Sequence, residues 1–522
     1  MKSLCCAVLA ALATALAACG GGTSITPPPP NGNFTLASLR GPYAFSMNGV
    51  NLSGAYLARV GSFTADGAGH ITAGLEDVLS LSSGQPAGLI SFTGTYQIEQ
   101  NGRGLLTLQG ANGTVLQLVL AMQSTNGGFL VQTDLNATSS GSFLSQNSAD
   151  FSETALQNPY AFEFSGVSFT SNSAAPISLI GNFSANGAGL ITGGLMDTDN
   201  GNLASPSGPT VIAPGTYQMD TTNGSTFGRG TMVFSGYSFA FYIVNAKHIV
   251  VLEEDTLGGT SGDALSQIAP IPTQDSQFAG SFVYLIGGSS VKGTQGPVAR
   301  AARFTSDGNG NLGGISLDDN NDGGYTHVSE GSNISKATYS MDTSNPGSGR
   351  GTFTFTDSSA GTFTYVFYVI SSSQTFVQET TPGVIGSGPL YPQAAGPFSL
   401  SGVTGNYVFN WSGVQLGSST AVPFEEDFVG EYTLANTTTS NISGVTDYVE
   451  LGLSGNSVFL NVGLGGTLTF NGDGTANNLY KFTLGGSPST TINFQAYFAN
   501  PFTVLLVSSD NNRTTAGILN QQ

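Results

Sequence analysis

Three arginines, Arg103, Arg229 and Arg350, stand in Gly-Arg-Gly triplets and make up three of only eight arginines in the chain. A guanidinium presents a planar fork of donors that fits a carboxylate. Each triplet could therefore bind a carboxylate ligand, or be tied across one end of its own domain by carbonyls or an Asp. Acids recur as well: Asp77, Asp197 and Asp318 each follow a phenylalanine (Phe63, Phe183, Phe304) by fourteen residues, and Asp447 occupies a similar place further on. A second acidic set is Asp134, Asp255, Glu379 and Asp510. Carboxylates that converge could hold Ca²⁺, which favours oxygen ligands. The stretch Asp318-x-Asn320-x-Asp322-Gly323 matches the first half of an EF-hand loop, but Ser329 fills its twelfth position and Glu330 comes one residue late. Calcium at Asp318, Asn320 and Asp322 is thus the one cofactor expectation, set against acids that merely solvate turns. The arginines with Asp77, Asp197, Asp134 and Asp255 are the candidate binding residues.

Catalytic patterns are sparse. The three histidines, His70, His248 and His327, have no paired metal-ligand spacing, and no G-x-S-x-G elbow is present. The acids Glu425, Glu426, Asp427 and Glu431 could supply a glycosidase pair, or form a solvated loop. The chain reads as a non-enzyme.

These residues must be positioned by β-structure. The 73 Gly and 22 Pro in 522 residues, with abundant Ser, Thr and Asn, leave little room for long helices. A 39% hydrophobic fraction with 33 Phe and 18 Tyr is too apolar for a disordered chain. Only 9% of residues are charged, and 13 Lys+Arg against 32 Asp+Glu give a net charge of −19. That balance argues against nucleic acid, whose phosphates need clustered basic side chains.

Four copies of one unit account for the length. Strand openers recur at Tyr43-Ala44-Phe45, Tyr160-Ala161-Phe162, Phe282-Val283-Tyr284 and Tyr407-Val408-Phe409. A [DN]-G-x-G turn follows at Asp66, Asn186 and Asp307, then the Gly-Arg-Gly triplet. Endings at Gln146, Gln267, Gln393 and Gln521 close the units. The fourth copy has drifted: Gly465-Gly466-Thr467 stands in for the triplet, an NGDG turn follows at 471–474, and Trp411 is the only tryptophan. The turns supply positive φ for hairpins and need no phosphate-binding role. The expected division is 35–147, 148–268, 269–394 and 395–522.

In copy one the alternation predicts eight strands, near 42–49, 55–65, 70–79, 88–99, 104–109, 114–123, 128–134 and 140–146. Tyr43, Phe45 and Met47 share one inward face. The sixth strand of copy two is apolar on both faces, Phe239, Phe241 and Ile243 on one and Ala240, Tyr242 and Val244 on the other, so its outer face should pack against a neighbouring domain or loop. Strand parity puts both acidic sets at the end opposite the arginines. The fold class is all-β, four tandem antiparallel meanders, with an up-and-down barrel favoured over a sandwich.

Residues 1–18 carry Lys2, an apolar run and small residues before Leu16-Ala17-Ala18-Cys19. This ending resembles the lipobox of bacterial lipoproteins. The resemblance implies cleavage before Cys19, lipidation of Cys19, and a Gly- and Pro-rich tether over 19–34 that holds the rest off a membrane. With Gly20 after the cysteine, it points to the outer membrane or cell surface. Cys5 and Cys6 would leave with the leader, so the mature chain would hold no disulfide. In size and opening strand the unit looks like a calycin-type barrel, and the tandem set is similar to Gly/Ser/Thr-rich repeat lipoproteins of acidobacteria. Together these imply a non-catalytic envelope lipoprotein for adhesion, envelope structure or binding of an extracellular polysaccharide or protein. A carrier of small apolar ligands inside the barrels is the alternative, and a hydrolase built on the acids of copy four comes third.

Overall fold

The structure, a computed structural model, describes residues 32–522 except 81–87, 171–172, 202–205, 293–295, 330–333, 397, 417–423, 436–439, 453–454, 471–477 and 487–488. The leader, Cys19 and all but the end of the tether lie outside the described residues, as do the NGDG turn and Glu330.

The first unit is a closed barrel of eight antiparallel strands: β1 (Arg40–Asn51), β2 (Tyr56–Asp66), β3 (His70–Ser80), β4 (Gly88–Ile98), β5 (Arg103–Gly110), β6 (Val115–Ser124), β7 (Gly127–Gln132) and β8 (Ala137–Ser145). Every predicted strand is present, and β1 pairs with β8 to close the circle, Phe45 lying opposite Phe143. Closure removes the unpaired edges that a meander would otherwise expose. The fourth unit, from Gly405–Gln415 to Arg513–Gln521, is a second closed eight-stranded barrel.

In the second and third units the fourth strand is split, into Ser207–Ile212 and Gly215–Met219, and into Gly324–Ser329 and Ile334–Met341. The second unit still closes through the pairs Leu190–Thr216 and Ile191–Gly215. In the third, a single bridge between Asn311 and Thr338 spans the seam.

The alternation that defines the strands also fills the lumens. Tyr43, Phe45, Phe63, Phe92 and Phe143 pack together inside the first barrel, and Tyr160, Phe162, Phe164, Phe183 and Phe239 inside the second. The third is filled around Tyr284, Phe304, Phe353 and Phe367, the fourth around Phe409, Trp411, Phe428 and Phe482. Ring centroids 4.1 Å apart for Phe409 and Trp411 leave no gap between them. Side chains thus fill the middle of each lumen, where the carrier reading would place a small apolar ligand, and in the second barrel a cavity of about 190 Å³ remains beside Ile177, Tyr237 and Glu253.

Candidate functional site: the joints between barrels and the axial cavity

The outward faces of the strands pack barrel on barrel. The sixth-strand face of barrel two meets barrel one as predicted: Tyr242 and Val244 lie against Ala44, Val60, Leu75 and Leu79. Barrel two meets barrel three through Ala161, Ile180 and Leu195 against Val366, Tyr368 and Ile370. Barrel three meets barrel four through Val283, Leu285, Ala299 and Ala301 against Tyr497, Ala499, Leu505 and Val507. Barrel four then meets barrel one, Val408, Val429 and Val449 against Val119, Ala121 and Val131. In each case the first three strands of one barrel carry the sixth and seventh strands of the next. A head-to-tail contact repeated in this way either runs on or closes. Here it closes after four, and the chain is a ring.

The recurring acids and arginines are the polar half of these joints. Arg229 donates to both oxygens of Asp77 in the preceding barrel, at 2.8 and 2.9 Å, and the Tyr242 hydroxyl donates to the same carboxylate at 2.7 Å. Arg350 repeats the arrangement on Asp197 at 2.8 and 2.7 Å, with Tyr368 at 2.7 Å. Arg103 of barrel one pairs with Asp447 of barrel four, through Nε at 3.0 Å and through Nη2, and so closes the ring. Burial alone would lower the Arg229 and Arg350 pKa values, but the facing aspartates raise both above the usual guanidinium value.

Asp77, Asp197, Asp318 and Asp447 are at most 5% exposed, so they are not solvated turn acids. Within one barrel they do sit at the end opposite the arginine, because β3 and β5 run the same way and begin at the same end. The contact forms between copies, and the carboxylate each arginine binds belongs to the fold.

The third joint differs. The fifth strand of barrel four begins at Asn478, which pairs with Ala496 next to Tyr497, so the position equivalent to Arg229 falls among 471–477. Gly465-Gly466-Thr467 lies instead within an unusually long fourth strand, Gly455–Thr469. Asp318 is held by the Tyr497 hydroxyl at 2.5 Å and, from its own barrel, by the Tyr325 hydroxyl at 2.6 Å and His327 Nδ1 at 2.9 Å. Hydrogen bonding to Asp318 raises the His327 pKa. Asn320 knits the same joint, donating to the carbonyls of Ser508 (2.7 Å) and Arg513 (2.9 Å) and accepting from Thr514 Oγ1 (3.0 Å). Asp322 takes a left-handed φ of 50° at the hairpin tip. In this geometry Asp318 divides its oxygens between barrel four and its own barrel, and Asn320 directs its amide at barrel four. Among the described residues no group of three or more His, Cys, Asp or Glu side chains is placed to hold a metal ion.

The ending glutamines are latches. Gln146 donates to the carbonyls of Phe227 and Ile243, and Gln267 to those of Ser348 and Val369. Gln393 donates to Phe498 O, and Gln522, rather than Gln521, to the carbonyls of Asn101 and Met122 in barrel one. All four therefore reach into the next barrel. The repeat of the residue was legible, but its partners are main-chain carbonyls that carry no sequence signal.

Most of the remaining candidates serve their own barrels. Asp134 accepts from the backbone of Asn136 and Asp255 from that of Leu257 within their turns, while Asp255 and Asp510 accept from Ser238 and Asn493 on the neighbouring sixth strand. Glu379 does not belong with them: it pairs with Tyr365 as Glu253 pairs with Phe239, which places it inside the lumen, ion-paired with Arg300. Asp66, Asn186 and Asp307 each accept from two backbone N–H groups of their hairpin. The acids of copy four lie on a largely buried strand, Phe424–Leu434, rather than in a solvated loop. Alternation sends Glu426 inward to Arg513, at 3.0 Å. Asp427 points outward to Thr138 (2.6 Å) and Glu431 to Asn101 (3.1 Å), both on barrel one. Burial pushes the Asp427 and Glu431 pKa values up to about 6 and about 7.

The ring surrounds a cavity of about 470 Å³ whose wall is shared by all four barrels. Gly49, Gly166, Gly288 and Gly413, at the same place in each first strand, line it. A Cβ on any of them would collide with a carbonyl oxygen of the eighth strand, from Thr138, Gly259, Ile385 or Thr514. The signal was available in the sequence, as the glycine six residues after each opening aromatic.

No protein-family model matches the chain, and neither does any curated protein. Among solved structures it is similar to a variant of transferrin binding protein B from Haemophilus parasuis, at 10% identity over 78% of this chain and 86% of that one, with a TM-score of 0.19. It is similar also to the isotype 1 protein of the same name from serogroup B Neisseria meningitidis, at 7% identity over 76% and 83%, TM-score 0.19. Likeness at that level carries no argument about function.

Proposed function

We propose that the chain is a non-catalytic, lipid-anchored protein of the bacterial envelope, which presents a closed ring of four barrels to an extracellular polysaccharide or protein. The observation that supports this most is how the charged side chains are used. The recurring arginines and aspartates are consumed in joints between barrels, and the lumens are filled with aromatic rings. The segments between strands are rich in Ser, Thr, Asn and Gly, a composition suited to many weak hydrogen bonds rather than to one reactive centre. The lipobox-like Leu16-Ala17-Ala18-Cys19 supports the anchor. Among the described residues no helix is long and apolar enough to cross a membrane.

The test has two parts. Cys19→Ala should release the protein from the membrane fraction of its source cells, and the purified protein should bind members of a panel of extracellular polysaccharides and cell-surface proteins without altering them. Membrane retention of the Cys19→Ala protein would remove the anchor. Turnover of a panel glycan would overturn the non-catalytic reading, and an apolar molecule carried in a lumen would overturn surface binding in favour of carriage.

A further inference from the structure

The joints and latches explain the arginines and glutamines, but not two acids on the axial cavity. Glu163 extends from the first strand of barrel two, and Glu425 from the second strand of barrel four. Barrels two and four are diagonal in the ring, so the two carboxyl groups enter from opposite walls. Glu163 accepts a hydrogen bond from Ser387 of barrel three. Glu425 has no hydrogen-bond partner and no cation among the described residues. The cavity lining contains no Lys, Arg or His; its other members are small polar residues such as Ser165 and Ser412, and apolar ones such as Val50 and Val414. A side cavity of about 190 Å³ shares Val50, Val414 and Glu425 with it and runs between barrels one and four. The central volume lies within the ~300–1,000 Å³ range of small-molecule sites.

We propose that the axial cavity binds a short aliphatic dication, one ammonium at Glu163 and the other at Glu425, with the methylene chain along the valines between them. Two fixed acids on facing walls, an apolar middle and no competing basic side chain select charge at both ends of a slender molecule. A monocation satisfies one wall only.

Burial now holds both carboxyls toward the protonated form: the Glu163 pKa is pushed up to about 7, with Asp263 adding to the effect, and that of Glu425 is raised well above its usual value, with Asp427 and Glu426 adding to the effect. Docking an ammonium against each favours the carboxylate, so binding releases protons to solvent and strengthens as pH rises.

The experiment is calorimetric titration of the purified protein with 1,4-diaminobutane, and with 1-aminobutane as the single-charge control, at about 150 mM salt to screen the acidic surface. Buffers of different ionisation enthalpy report proton release between about pH 6 and about pH 9, where aliphatic amines near pKa ~10.4 stay charged. The expected result is one saturable diamine site with proton release, roughly tenfold or more tighter at the higher pH. Glu163→Gln and Glu425→Gln should each weaken it by roughly tenfold or more, to the level of the monoamine, while Asp66→Asn at an exposed turn leaves it unchanged. Absence of a saturable site overturns the proposal. So does binding that neither cavity variant moves, which would reflect surface charge alone. If a cavity variant fails to fold, the wild-type protein still decides, since equal affinity for diamine and monoamine, or binding without proton release, is refutation enough.

Discussion

Three of the four joints are reinforced by the chain itself, which crosses at Asn147, Ile268 and Ala394, each donating its N–H to a carbonyl of the next barrel. The joint between barrels four and one has no such crossing, and Arg103 is its charged tie. Its side chain is 6% exposed and that of Asp447 1%. Arg103 also donates to Asn461 at 3.1 Å from two nitrogens. Arg103→Leu leaves Asp447 buried beside Val408, Val429 and Val449 with its main counter-charge gone, a loss of about 3–5 kcal/mol. At about 1.4 kcal/mol per tenfold, the closed ring loses roughly two to three and a half orders of magnitude against the open chain. Asp447→Leu strands the arginine at a similar cost. Removing both replaces a buried pair by apolar contact, which is close to neutral for well-packed sites. The double variant should recover most of the loss. Spin labels on cysteines at exposed Leu135 and Phe502, one on each side of the joint, would report opening directly, and denaturant titration the energy. The reasoning is refuted if the double variant opens as readily as the singles, or if Arg103→Leu leaves the label distance and midpoint unchanged.

Two further predictions concern protons. Glu253, 1% exposed inside barrel two, has its pKa pushed up to about 8, first by burial and then by Asp255. A raised acid costs nothing below its unfolded value near ~4.3 and costs progressively more as pH rises toward the folded value. Glu253→Gln keeps an acceptor for Thr260 Oγ1 and should stabilise the protein by about 3 kcal/mol at neutral pH, with almost no gain near pH 4 by denaturant midpoint; an equal gain at both would contradict the burial argument. His327, raised by Asp318, contributes stability in full below its unfolded value near ~6.5, and loses it as pH rises through its higher folded value. His327→Gln should therefore destabilise in mild acid and not in base, and a constant difference between the two proteins across that range would exclude the pairing.

The barrel itself was legible because its period-two pattern is local: Tyr43, Phe45 and Met47 announce an inward face without reference to anything distant. The sixth strand of barrel two was readable for the same reason, since two apolar faces demand two partners. The joints were not. Arg229 and Asp77 are 152 residues apart, and inside one repeat the same pair of positions sits at opposite ends, which directs the reader away from pairing them. Repetition revealed which residues mattered, but periodicity cannot say whether a partner belongs to the same copy or the next. The acids of copy four misled for a different reason. Adjacent charges usually mark a loop, and here they lie on a strand whose alternation turns Glu426 inward to Arg513 while the interface with barrel one gives Asp427 and Glu431 their partners.

The closed joint sequence sets limits on how such a chain can change. In a string of independent modules, duplication or loss of one unit alters only reach. In this ring a chain of three or five barrels would expose an unmet head and an unmet tail, apolar surfaces that would seek each other on other molecules. Copy number is therefore held by angle rather than by length, and a residue lost from a seam has to be replaced by another tie across it. Barrel four shows this: it has lost the triplet arginine, and Tyr497 and Asn320 hold that joint, while Asp447 and a late glutamine stay where barrel one meets them.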